Sequence, residues 1–283
     1  MKNVKAVLYF VWRCEMKTLL ITLMLIAALG IYVSCAVNMG GVSVMQDYEE
    51  SGETETQGDD GVIMDEEEGI VAGMTLDENL DENSPAVVFG DTQWVAGIDG
   101  TAMEFDAEGE YILLPDSPEL DLTDQGTIEV WVYPYTNIAA AGIVHKGTEL
   151  DYSDEAYSLQ FNNPGQVAFI LTNSDGKATY VISNDGEIAA EQWHHIVAAW
   201  DTTDIYLYID GAPVISRSIY SNGWLSELPA DFAPAQDSDG DLMIGSQIPY
   251  SYRFDGIIDN VFLYDRVLDS AEVAAHYSEL MTP

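Results

Sequence analysis

Basic side chains are scarce in this sequence: nine Lys and Arg stand against 49 Asp and Glu, a formal net charge of −40. Lys2, Lys5, Arg13 and Lys17 all precede residue 18, so only Lys146, Lys177, Arg217, Arg253 and Arg266 are left for the rest of the chain. Without a basic footprint, nucleic acid and anionic membrane surfaces are poor partners. Cysteine is rarer still. Cys14 and Cys35 are the only two, so the mature chain is expected to carry no disulfide and to rely on its core, with a metal as the other available support. No Ser/His/Asp triad pattern and no Gly-rich phosphate loop is evident. What is abundant is carboxylate, which needs water or counter-cations, and calcium is the first cation to consider.

One long apolar run exists, from Leu19 to Val33, preceded by Met16-Lys17 and followed by the small residues Ser34, Cys35 and Ala36. It is short for a membrane span of about 20 residues, and no positive cluster follows it. Residues 1–35 therefore read as a secretory signal peptide, with Met16 as an alternative start. Val33-Ser34-Cys35 resembles a lipobox with Tyr32 in place of the usual Leu, so a lipid at Cys35 is the one membrane attachment on offer. The expected location is outside the cell, secreted or held at the surface.

Residues 36–85 are expected to form an acidic, disordered spacer. Gln46 to Ser84 contains 15 acidic residues and no basic one, including Asp65-Glu66-Glu67-Glu68, and self-repulsion there should outweigh apolar burial. With Glu15 the only acidic residue before it, 33 of the 49 remain for residues 86–283, against five basic ones. The part expected to fold is acidic in its own right.

From residue 86 the chain breaks into short alternating or β-rich runs divided by Gly, Asp, Asn and Pro, the pattern of an all-β sandwich of about a dozen strands. Thr127 to Tyr133 places Ile128, Val130 and Val132 on one face with Trp131 and Tyr133 on the other, which predicts a central strand buried on both sides. Trp193–Trp200 and Ile205–Ile209 read as a hairpin, followed by a tight turn at Asp210-Gly211. A strand is also expected over Val214–Ser218. Only the end looks helical: Asp269 to Glu272 has the form of a capping box, and Val273, His276, Tyr277 and Leu280 fall on one stripe.

Four stretches in order resemble the laminin-G-like (LamG) concanavalin A jelly roll found on secreted bacterial proteins: Ala102–Asp106 with Tyr111–Pro115, Ser117–Leu122 with Thr127–Val132, Trp193–Val197 with Leu207–Gly211, and Phe254–Leu268. The resemblance runs over residues 86–280. It departs at Ala107, where the family usually has Gly, in an abbreviated first strand region, and in an insertion from about Ser221 to Asp241. It implies two antiparallel sheets with a short C-terminal helix, and a calcium-dependent adhesion or carbohydrate-recognition module that binds glycans or glycoproteins and is seldom a catalyst. It also implies Asp259 as a calcium ligand, with Asp106 or backbone carbonyls beside it, since Ca²⁺ takes six to eight oxygens. Read by itself, Asp259 could equally cap a turn.

Three further patterns bear on chemistry. Glu104-Phe105-Asp106-Ala107-Glu108 resembles the E-x-D-x-E motif of laminarinase-type hydrolases, which share this architecture. On an unbroken strand the three carboxylates would face one way, with Glu104 as nucleophile and Glu108 as acid/base about 5 Å apart. Against this, the motif falls early in the domain and coincides with a LamG strand, so the non-catalytic reading leads. Asp237, Asp239 and Asp241 alternate beside Gly240, which suits an acidic turn or half of a calcium loop. His194 and His195 point to opposite faces of one strand, so they cannot share a zinc; one is expected inside and one near the surface. His145 and His276 look isolated. For a sugar, aromatic faces on loops beside polar groups are needed. Tyr152, Tyr220, Trp224, Tyr250 and Tyr252 are the candidates, all between predicted strands.

Overall fold

The structure is a computed structural model that describes residues 69–77, 84–136, 139–148, 154–215, 218–221, 223–225, 227–229, 232–248 and 251–281. The leader, Cys14, Cys35, most of the acidic stretch, Tyr152 and Tyr250 lie outside the described residues. Among those described, the strands in chain order are β1 (Ile70–Met74), β2 (Val87–Phe89), β3 (Gln93–Ala96), β4 (Thr101–Asp106), β5 (Tyr111–Leu114) and β6 (Gly126–Pro134). There follow β7 (Gly142–Lys146), β8 (Tyr157–Phe161), β9 (Val167–Thr172), β10 (Ala178–Ile182), β11 (His194–Trp200), β12 (Ile205–Ile209) and β13 (Ala212–Pro213). The last are β14 (Ser218–Tyr220), β15 (Trp224–Leu225), β16 (Leu242–Ile244), β17 (Ser246–Ile248), β18 (Ser251–Arg253) and β19 (Asp255–Tyr264), before the helix α1 (Ser270–Met281).

Two sheets face each other. One runs β13-β12-β11-β6-β19-β4-β3, with β1 also on β19; the other runs β15-β14-β10-β9-β8-β7-β16-β5-β2; β17 and β18 form a separate hairpin. Every pairing among the described strands is antiparallel. The expected sandwich and its C-terminal helix are both present. The core between the sheets takes alternate residues from each strand, including Ile128, Val130 and Val132 of β6 and Val167, Phe169 and Leu171 of β9. Trp200 packs against Tyr157 and Phe169, and its indole N–H donates to the Leu122 carbonyl at 3.3 Å. The Tyr157 hydroxyl donates to the Leu120 carbonyl at 2.9 Å, so two core rings tether the crossing segment. Truncating a fully buried Trp of this kind costs about 3–5 kcal/mol.

β6 is central as predicted, and its second face is covered by α1. Trp131 stacks on Tyr277 at 5.7 Å, while Val273 of the helix packs on Val197, Tyr208, Tyr264 and Leu268. The capping box forms: the Asp269 carboxylate accepts from the Ala271 and Glu272 amides at 2.7 and 3.0 Å, and Glu272 accepts from the Asp269 amide at 2.7 Å. At Asp210-Gly211 both φ values are positive (52° and 72°), the backbone that a two-residue type I′ hairpin turn requires.

Four expectations change. The sandwich starts before residue 86, because Ile70–Met74, in the stretch read as spacer, is apolar and pairs with Val261–Tyr264. Of the strand expected over Val214–Ser218, Val214 and Ile215 lie outside any strand, residues 216–217 are outside the described residues, and Ser218 begins β14 on the other sheet. Both His194 and His195 are buried. His194 Nδ1 lies 3.0 Å from Asp210, whereas His195 lies beneath α1 with Nε2 2.6 Å from Glu129. His276 is not isolated either, since its Nδ1 reaches the same carboxylate at 3.0 Å.

Candidate functional site

A groove of about 330 Å³ opens at the edge of the second sheet, lined by Asn162, Asn163, Gln166, Tyr180, Ile182, Ser218, Tyr220 and Trp224. Register explains the convergence. Tyr180 lies opposite Tyr220, Ile182 opposite Ser218, and Tyr220 opposite Trp224, so these side chains share the outer face while Val181 and Ile219 enter the core. Tyr220 stands edge-on to both neighbours, at 5.7 Å from Tyr180 and 5.4 Å from Trp224. Trp224 is 68% exposed, an unusual position for so large an apolar surface.

The facing wall is polar. It comes from the turn Asn162-Asn163-Pro164-Gly165-Gln166 between β8 and β9, closed by the Gln166 amide donating to the Asn163 carbonyl at 2.9 Å. Gln166 Oε1 accepts from Asn162 Nδ2 at 3.0 Å and from Asn163 Nδ2 at 2.8 Å, and its own Nε2 donates to the Ser183 carbonyl at 3.3 Å. The three amides are thus held as a unit beside the rings. Rings that stack on C–H faces and amides that both donate and accept are what a hydroxylated ligand needs.

A family model described as the concanavalin A-like lectin/glucanases superfamily matches residues 106–274, more than half of the chain. The protein belongs to the concanavalin A-like superfamily. No curated protein matches it by sequence. Similar solved structures include the binding domain of Paraclostridial Mosquitocidal Protein 1 (16% identity, TM-score 0.58, 76% of this chain and 53% of that one). Domain 4 of AbnA, an extracellular arabinanase from Geobacillus stearothermophilus, solved with arabinotriose, is similar at 17% identity and TM-score 0.52, over 73% of this chain and 97% of that one. The binding domain of botulinum neurotoxin serotype G follows at 13% and 0.55, over 75% and 51%. The chain spans about half the length of the toxin domains. These likenesses show the fold.

On this concanavalin A-like frame, the two residues expected to share a calcium are apart. Asp106 pairs with Asp255, so Asp259 lies four positions along β19, about 13 Å away at the usual strand rise. Asp106 is exposed and engages Glu110, whose carboxyl is drawn down to about 2 by hydrogen bonds from Asp106 and nearby amides despite its burial. Asp259 is fully buried where β4 leaves β19 and β1 begins, at an irregularity in its pairing with β6. Its carboxylate accepts from the Ile98 amide at 2.9 Å, the Asp99 amide at 3.5 Å and the Asn260 amide at 2.9 Å. Burial pushes its pKa up to about 7 against these bonds, and the nearby Asp77 carboxylate adds to the rise. Asp77 itself accepts from the Thr101 amide at 3.0 Å, on the same 97–101 turn. Two carboxylates therefore meet at one turn with no basic partner among the described residues. This chemistry fits a hard cation, with Asp77 in the place expected for Asp106. Among the described residues no three metal-ligating side chains converge, so further ligands would have to be carbonyls and waters.

The E-x-D-x-E arrangement does not form. β4 ends at Asp106, Ala107 turns through φ 62°, and Glu108 lies in the turn with its amide donating to Asp106 at 2.8 Å. Glu104 stays on the strand and accepts from the Tyr135 hydroxyl. The positive φ at residue 107 explains why the family places Gly there. The acidic loop at Asp237–Asp241 already contains a cation: the Lys146 ammonium donates to the Ser238 and Gly240 carbonyls and to Asp116, each at 2.6 Å.

Of the ligand candidates, Trp224 and Tyr220 line the groove and Tyr252, 45% exposed at φ 60°, lies on the β17–β18 hairpin instead. Asn162, Asn163, Gln166 and Tyr180 went unselected in the sequence. The first three sit in a turn whose Pro-Gly already accounts for its polarity, and Tyr180 sits within a strand.

Proposed function

We propose that the protein is an exported, non-catalytic module that binds glycans or glycosylated partners through the Tyr220–Trp224 groove, with calcium at Asp259 and Asp77 stiffening the sandwich. The observation that carries this reading is the groove itself, an exposed Trp and two Tyr rings facing three pre-positioned amides. The similar arabinanase domain was solved with arabinotriose and the similar toxin domains are binding domains, which supports recognition as the use of this fold. Export rests on the Leu19–Val33 leader, and no helix among the described residues is long and apolar enough to cross a membrane. The separation of Glu104 from Glu108 supports the non-catalytic reading. Asp259 and the groove belong to different sheets, so calcium is assigned to stability and not to ligand contact.

A glycan array probed with the purified protein, in calcium and in chelator, tests this. Binding to a defined sugar class that Trp224→Ala abolishes without lowering the melting temperature is expected. A blank array from protein shown to be folded would replace the glycan reading with that of a protein-binding adhesion module.

A further inference from the structure

We infer that the groove selects uncharged glycan chains and rejects uronate, sulfated or sialylated ones; the inference rests on the glycan-binding reading above. Among the described residues its lining is two Tyr and one Trp ring, three side-chain amides, one Ser and one Ile, with no charged side chain of either sign. An anionic sugar would bring a buried or half-buried negative charge to a wall whose described residues offer no cation, and burying an unpaired charge is costly.

The hydrogen-bonding pattern points the same way. Sugar hydroxyls donate and accept, and so do Asn162, Asn163 and Gln166. A carboxylate or sulfate only accepts, so it would pair with the N–H groups and confront the amide oxygens. The ring faces carry negative quadrupole density, which favours the C–H face of a neutral pyranose or furanose over an anionic substituent.

The surroundings add repulsion. Just past Ile182, the turn 184–187 carries Asp185 and Glu187, and Glu187 is held toward Asn184 by bonds of 2.8 and 3.3 Å. Asn184 itself adjoins Ser183, the residue whose carbonyl fixes Gln166. These carboxylates act on a background of 33 acidic against five basic residues over 86–283. Gly186 of this turn lies against Gly165 of the Asn162–Gln166 turn, its Cα 2.9 Å from where a Cβ on Gly165 would stand, so the acidic turn adjoins the polar wall, and its field weakens with salt.

The test measures affinity for a neutral linear glucan, a neutral arabinan, and sulfated and carboxymethylated forms of the same glucan, at about 20 mM and about 500 mM salt. Wild type and Trp224→Ala are compared using the full chain. A neutral chain is expected to bind with little salt dependence and to lose about tenfold or more in Trp224→Ala. The anionic forms are expected to bind at least tenfold more weakly at low salt, with the gap narrowing at high salt. Equal or tighter binding of an anionic form at low salt, lost in Trp224→Ala, would overturn the charge selectivity while leaving glycan binding intact. Failure of folded protein to bind any neutral or anionic chain would overturn the glycan reading, and this inference with it.

Discussion

The Lys146 ammonium, fully buried, lies 2.6 Å from the Asp116 carboxylate and 3.6 Å from that of Asp121, inside a loop that turns two carbonyls toward it. An Asp-rich segment that resembles half a calcium site thereby carries its cation on a covalent stem from β7. The ammonium holds the end of the insertion against the ends of β5 and β7.

Removing that stem should be severe. Lys146→Met strips the counter-charge from Asp116 and Asp121 and leaves two carbonyls without a donor, and breaking a buried pair in this way costs about 3–5 kcal/mol. Urea unfolding of the variant should show a midpoint lowered accordingly; a change below about 1 kcal/mol would mean that water replaces the ammonium without penalty.

Ala107 occupies left-handed backbone at φ 62°, which costs an L-residue about 1–2 kcal/mol. Gly avoids that cost but loses more entropy on folding, about 0.5–1 kcal/mol. Ala107→Gly is therefore expected to raise stability by up to about 1 kcal/mol, read as a higher melting temperature; a lower one would show that the methyl group contributes packing at this turn.

Glu129 lies under α1 and accepts from His195, His276 and Tyr264, at 2.6, 3.0 and 2.9 Å. Although burial opposes ionisation, the two imidazoles and their charge hold its pKa down to about 2. A carboxyl lowered on folding stabilises above its ordinary value of 4.5, and that contribution disappears as pH falls toward 2. The wild type should lose stability over this acid window, and Glu129→Gln should begin less stable at pH 7 with a flatter profile below pH 4.5. Parallel profiles would refute the linkage.

Glu155 has the opposite sign. Burial alone raises its pKa to about 8, so the folded state keeps the proton that the unfolded chain releases above 4.5. Its favourable balance is complete below 4.5 and declines as pH rises to 8. Glu155→Gln should leave the melting temperature unchanged at pH 4 and raise it at pH 8, by an amount worth about 4 kcal/mol; no gain at pH 8 would place a compensating partner beside the carboxylate.

Calcium should raise the melting temperature with ligand excess, as any ligand of the folded state does. Asp259→Ala and Asp77→Ala should each abolish that response, whereas Asp106→Ala should retain it. A melt indifferent to calcium and chelator in wild type and variants alike would remove calcium from the proposal. Gly97→Ala offers a check on the turn, because its Cβ would overlap an oxygen of Asp259, and it should destabilise with or without the metal.

Much of the molecule was legible in one dimension. Alternation in Thr127–Tyr133 predicts a strand buried on both faces, Asp210-Gly211 predicts its turn, and Asp269 to Glu272 predicts the helix start, because each depends on residues a few positions apart. The acidic bias and the uneven supply of Lys and Arg are likewise properties of composition, and they alone disfavour nucleic acid. Tertiary structure decided what meets what. It placed Asp77 rather than Asp106 beside Asp259, put Lys146 inside a loop 92 residues away, and joined the Asn162–Gln166 turn to Tyr220 and Trp224. None of these follows from local periodicity, since strand order and register are set by burying one continuous core, and a site at the sheet's edge is assembled from whichever strands that packing leaves side by side.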